Sequence, residues 1–133
     1  MKFSTREIFD LGIAWLALGL AFTFFFLRRP LVFSLELIIP VFIITLITVG
    51  TGFLLHELAH KVTAIHFNQI AEFRADYGML FFAVVGGLAG FIFAAPGAVH
   101  HRGYLSDREH GLIALAGPVT NLLLAVVFVP VWF

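Results

Sequence analysis

Cysteine is absent from the 133-residue chain. That excludes a disulfide framework, a thiolate metal site and a thiol nucleophile, and it leaves the redox compartment unmarked. Six histidines are the only nitrogen ligands on offer. Charge is scarce as well. Asp, Glu, Lys and Arg make up 12 % of the chain, against about 25 % in an ordinary soluble domain. Eight basic residues balance eight acidic ones, and the zero net charge argues against a nucleic-acid partner. A cleavable leader is not indicated either. The opening MKFSTREIFD mixes Glu7 and Asp10 with its basic residues, and no small-residue cleavage site precedes Arg28-Arg29-Pro30. The first apolar segment therefore reads as a retained anchor.

Apolar side chain fills the place of charge. Hydrophobic residues are 61 % of the chain and the mean hydropathy is +1.03. One small core cannot absorb that much, so the expected class is an all-α, multi-pass integral membrane protein forming a single embedded unit. Its first partner is the lipid bilayer, with the cell membrane as the expected location. Four apolar segments are expected, at about 5–27, 37–66, 79–99 and 107–132. Ser4 with Glu7, and Ser106 with Glu109, have capping-box spacing at the first and last of these. Pro40 fits a first helical turn, and Pro118 should kink the last helix. The third segment carries Gly86, Gly87, Gly90, Pro96 and Gly97. It either spans or re-enters, and irregular backbone is tolerated at depth where it lines a cavity, which favours re-entry. Re-entry would also put Lys and Arg in excess on the side of the N-terminus, making that side cytoplasmic. Gly86 and Gly90 form GxxxG, a spacing that permits close helix contact.

Residues 70–78, IAEFRADYG, change period. Ala71, Phe73, Ala75 and Tyr77 alternate with Glu72, Arg74 and Asp76, which predicts a short strand between segments two and three.

The second segment contains GFLLHELAHKVTAIHF, residues 52–67. Ionisable groups inside an apolar run are costly and mark function. His56 and His60 lie four apart, so on a helix they share one face and can offer two nitrogens to one metal. Glu57 is placed to act as general base toward water activated by that metal. Zinc suits imidazole ligands and hydrolysis. Gly50 and Gly52 lie one to two turns before His56, and Gly52, four residues back on the same face, leaves room beside the histidines or for a neighbouring helix. A haem carrier would want histidines from two facing helices, which this motif does not supply. His66 has metzincin spacing, but the chain has Thr63 where those proteases need a helix-ending glycine. A continuing helix points His66 about 120° away. His100, His101 and His110 are expected in a polar loop, and Asp76 and Asp107 at the surface.

HELAH within a membrane segment, followed by a short strand and then PGAV and GLIALAGPVTN, resembles the site-2 protease family of intramembrane zinc metalloproteases. The resemblance covers about residues 40–130. It implies that His56 and His60 bind Zn2+, that Glu57 is catalytic, and that Asn121 lies near the site. Asn121 would donate to substrate or to a developing oxyanion, or else bond a neighbouring helix. The substrate implied is a transmembrane protein, cut while held in extended form against the strand at 70–77, with PGAV lining the same cleft. The family takes a third ligand, an aspartate, from a later segment with a motif such as LDG. No such motif precedes Phe133, so a C-terminally incomplete core is expected, with weak zinc affinity and no substrate turnover by these 133 residues alone. The competing expectation is a degenerate, non-catalytic homologue that binds membrane partners on the same scaffold.

Overall fold

The structure is a computed structural model that describes residues 2–27, 35–92 and 96–132. Helix α1 (Thr5–Leu27) is followed by α2 (Leu35–Thr45), a π-helical turn (Leu46–Gly50) and α3 (Thr51–His66). Strand β1 (Ile70–Ala75), helix α4 (Tyr77–Ala89), strand β2 (Gly97–Arg102) and helix α5 (Asp107–Trp132) complete the order. Among the described residues, three stretches are long and apolar enough to cross a membrane: Thr5–Leu27, Glu36–His66 and Asp107–Val129. Many of their large apolar side chains, such as Ile39, Ile47, Leu122 and Val126, face outward, a distribution that suggests a membrane protein.

The third apolar segment behaves differently from the other three. Its helix α4 has 13 residues, or about 20 Å of rise, well short of a hydrocarbon core of about 30 Å. Gly90 ends it in the left-handed conformation (φ 99°), donating to the Gly86 carbonyl at 2.8 Å. Gly86 and Gly90 thus form a helix cap instead of a packing motif. The close approach is made by Gly87, where a Cβ would stand 2.3 Å from the Ala21 carbonyl oxygen of α1.

The expected strand forms over Ile70–Ala75, and Tyr77 opens α4 instead of extending it. Its partner is β2, antiparallel, with Phe73 opposite Val99 and Ala75 opposite Gly97. His100 and His101 are therefore strand residues, and His110 lies in α5; the polar loop expected for them does not exist. Asp76 caps α4, its carboxylate accepting from Met79 N–H at 3.1 Å. Pro40 sits inside α2, beyond its first turn.

Helix α1 holds the assembly together. Ala14 and Leu18 pack with Phe53, Phe73 and Leu80 in the core, and the Phe53 and Phe73 rings meet edge to face at 5.7 Å. The capping box at its start is only half formed. The Ser4 hydroxyl accepts from Glu7 N–H at 3.0 Å, but the Glu7 carboxylate is 1 % exposed and turns inward. It pairs with the buried Lys61 ammonium and accepts from Phe73 N–H at 2.8 Å. Asp10 does the same one turn on, accepting from Ala75 N–H at 3.0 Å and from the Tyr77 hydroxyl. These carboxylates occupy the side of β1 away from β2. β1 is therefore not the free edge expected for substrate. By the alternation of antiparallel pairing, the outward backbone groups now belong to Gly97 and Val99 of β2. At the last helix, the Ser106–Glu109 box forms in full, with bonds of 3.1 and 3.2 Å.

Candidate metal centre

His56, Glu57 and His60 lie mid-way along α3, as an uninterrupted helix from Thr51 to His66 dictates. The imidazoles project from consecutive turns toward α5, and their Nε2 atoms stand 3.1 Å apart. Two nitrogens bound to one zinc at about 2.05 Å and tetrahedral angle are separated by about 3.3 Å. The spacing of the pair is thus close to two corners of such a site.

Helix α5 shapes everything around those two nitrogens. Ile113, Gly117 and Asn121 are four apart and so share one face. The Ile113 carbonyl lies 2.7 Å from His60 Nδ1. A carbonyl only accepts, so Nδ1 carries the proton and the Nε2 lone pair is free. The Asn121 amide lies 2.9 Å from His56 Nδ1. Between these two anchors Gly117 presents a bare Cα. A Cβ there would stand 2.4 Å from His60 Nε2 and 2.6 Å from His56 Nε2. The space in front of both lone pairs exists because this residue has no side chain.

Asn121 can set either of two protonation patterns. With its NH2 toward the ring, His56 Nδ1 accepts, and His56 Nε2–H donates to His60 Nε2. With its oxygen toward the ring, Nδ1–H donates, and both Nε2 lone pairs face one point. Two lone pairs at that separation repel unless a cation stands between them. The second pattern therefore fits a divalent ion.

Glu57 is 6 % exposed, and its Oε2 has no hydrogen-bond partner among the described residues. A buried, unpaired carboxylate oxygen is costly unless a ligand or water completes it. Glu57 stands between two spaces. On one side a cleft of about 850 Å³ reaches His56, Asn121 and Pro96 and is walled by Phe22, Ile47 and Phe128. On the other a cavity of about 180 Å³ extends to Glu7, Lys61 and Val99. Gly52 lines the cleft with nothing within 4 Å of its position, whereas Gly50 is filled by Trp15 of α1. Of the two uses expected for Gly52, room beside the histidines is the one found, and the neighbouring helix is met at Gly50 instead.

Among the described residues no third His, Cys, Asp or Glu joins His56 and His60. His66 is exposed at the end of α3, against Phe67. The His101 and His110 rings meet at a tilt of 47°, with centroids 5.4 Å apart. Sequence reasoning missed the parts played by Ile113 and Gly117. A backbone carbonyl has no sequence signature, but the spacing of Gly117 and Asn121 was a usable one.

Comparison with known proteins agrees with this chemistry. The chain is 44 % identical over 129 residues to a protein of Methanocaldococcus jannaschii named "Putative zinc metalloprotease MJ0611". The match covers 96 % of this chain and 62 % of that protein. It is 35 % identical over 106 residues to YwhC of Bacillus subtilis, which bears the same description, covering 73 % of this chain and 47 % of that protein. The chain thus spans less than two thirds of either relative's length. No family model matches the chain, and no solved structure does.

Proposed function

We propose that the chain is the core of an intramembrane zinc endopeptidase of the site-2 protease type. It would be a multi-pass protein of the cell membrane that hydrolyses peptide bonds of transmembrane proteins. The observation that carries this reading is the pair of Nε2 atoms 3.1 Å apart in front of Gly117. The unpaired Glu57 carboxylate beside them and helices long enough to span support it. So do the two relatives named as zinc metalloproteases. The membrane chemistry is supported by where the site sits, inside Glu36–His66.

His56 and His60 would hold the ion, with a third ligand from outside the described residues. When bound, zinc supplies Lewis acidity that activates water and polarises the scissile carbonyl. Glu57 takes the proton of the attacking water through its free oxygen and returns it to the leaving amine. Ile113 and Asn121 fix the two imidazoles, and Asn121, which lines the cleft, can also turn its NH2 toward a developing oxyanion. An extended substrate segment would pair with the outer edge of β2, which directly follows Pro96 in the cleft wall. Apolar walls exclude bulk water from that segment.

The test is Glu57→Gln in purified protein that includes the segment supplying the third ligand, presented with a transmembrane substrate. Hydrolysis should cease while zinc content stays at the wild-type level. Continued cleavage, or absence of any bound divalent ion in the active wild type, would overturn the proposal.

A further inference from the structure

His56 and His60 face α5 only because α3 holds one rotational phase. Neighbouring residues of an α-helix differ by about 100° around its axis. Slipping α3 by one residue would swing both imidazoles by that angle, away from Ile113, Gly117 and Asn121.

The phase is set just upstream. The helical path from Leu35 to His66 widens into a π-helical turn at Leu46–Gly50. Such a turn takes up one residue more than an α turn, so its presence or loss changes the register of all that follows. It is a rare geometry that needs outside support. Here the support comes from α1 through two interlocking notches. The Trp15 indole sits against Gly50, where a Cβ would stand 2.2 Å from its Nε1. Leu46 in turn sits over Gly19, where a Cβ would stand 2.6 Å from Leu46 Cδ2. Trp15 Nε1–H donates to the Leu46 carbonyl at 3.0 Å. One residue before the turn, the Thr45 hydroxyl lies 2.9 Å from the Gly19 carbonyl and 3.1 Å from the Thr23 hydroxyl.

We propose that Trp15 is a positioning residue for the metal pair: seated against Gly50 and bonded to the Leu46 carbonyl, it holds the π turn in the register that aims His56 and His60 at Gly117. The proposal rests on the metal-site reading. It goes further in assigning the aim of the ligands to a residue on another helix, with no contact to the ion.

The experiment reads ligand affinity and helix phase separately. Co2+ binding is followed by its ligand-field absorbance in the purified protein. Phase is followed with two single-thiol reporters, Val62→Cys and Ala64→Cys, each made alone in this cysteine-free chain. Val62 is 47 % exposed and Ala64 is 0 % exposed. Each reporter is probed by its rate with a small methanethiosulfonate. In the otherwise wild-type protein the thiol at position 62 should react fast and the thiol at position 64 slowly. Trp15→Leu and Gly50→Ala should each weaken Co2+ binding at least about tenfold, the lower end of losses for orienting residues, and raise the rate at position 64 relative to position 62. The double variant Trp15→Leu/Gly50→Ala, whose new methyl refills the notch, should bind Co2+ more tightly than Gly50→Ala alone. Trp15→Phe keeps one aromatic ring and loses the donor and part of the ring's volume, so it should shift both readouts in the same direction by less than Trp15→Leu. It decides the matter if the stronger variants do not fold.

Wild-type affinity and thiol pattern in Trp15→Leu would overturn the proposal. So would lost affinity with an unchanged thiol pattern, which marks general destabilisation. Failure of wild type to bind Co2+ would instead overturn the metal reading, while the thiol pattern still reports on the register.

Discussion

Gly117→Ala tests the metal centre most directly. The added Cβ would stand 2.4 and 2.6 Å from the two Nε2 atoms. An ordinary contact there needs roughly 3.4 Å, so the rings must retreat by nearly an ångström. They are not free to do so. His60 is tied to Ile113 at 2.7 Å and His56 to Asn121 at 2.9 Å, both on the helix that carries the new methyl. An ion held about 2.05 Å from both nitrogens would be crowded by that carbon as well. Overpacking of this kind costs about 1–3 kcal/mol, which corresponds to roughly five- to 150-fold in affinity at 1.4 kcal/mol per decade. The assay is Co2+ or Zn2+ titration of the purified protein in detergent, with thermal unfolding as a check on the fold. Gly111→Ala is the control: it lies on the same helix, with nothing within 4 Å of the added carbon. We expect Gly117→Ala to weaken metal binding and Gly111→Ala to leave it unchanged. Equal affinities in Gly117→Ala and wild type would refute the seat assigned to the ion, as would an equal loss in the control.

Asn121→Ala removes the partner 2.9 Å from His56 Nδ1, and metal affinity should fall about 10–100-fold by the same titration. Glu7→Ala leaves Lys61, 2 % exposed, without its counter-charge. Unfolding in mixed detergent should show a loss of about 3–5 kcal/mol, much of it recovered when Lys61→Met is added. The Asp10 carboxylate accepts the Tyr77 hydroxyl and holds that phenol above its ordinary value of 10.0. Because the folded value is the raised one, the stability this bond contributes is complete below the ordinary phenol range and is lost as pH rises through the raised value. Phenolate absorbance in a Tyr104→Phe background should place Tyr77 above a free tyrosine and move it down in Asp10→Asn; titration at the free value in wild type would contradict the bond.

Much of the architecture was legible because long apolar helices announce themselves. Long apolar runs predict α1, the Leu35–His66 path and α5 by length alone. The alternation at 71–75 announced β1. Spacing alone put His56 and His60 on one face, because a helix repeats every 3.6 residues wherever it sits. Where reading failed, the competing force was tertiary. Glu7 and Asp10 looked like the flank of an anchor, yet β1 needs acceptors for its outer N–H groups, and these two carboxylates provide them. Gly86 and Gly90 had the right spacing for packing, but the helix ended at Gly90 and left that role to Gly87. His100 and His101 looked like loop residues because β2 has no alternation of its own strong enough to show; its partner β1 imposes the strand.

The sequence by itself determined that two imidazoles and a carboxylate would share a helix face within a long apolar helix, since local geometry needs no partner. Only the tertiary structure decided which helix that face meets, that a glycine stands opposite both nitrogens, and that an indole from α1 sets their direction. Those depend on contacts between residues far apart in the chain, and no local pattern encodes them.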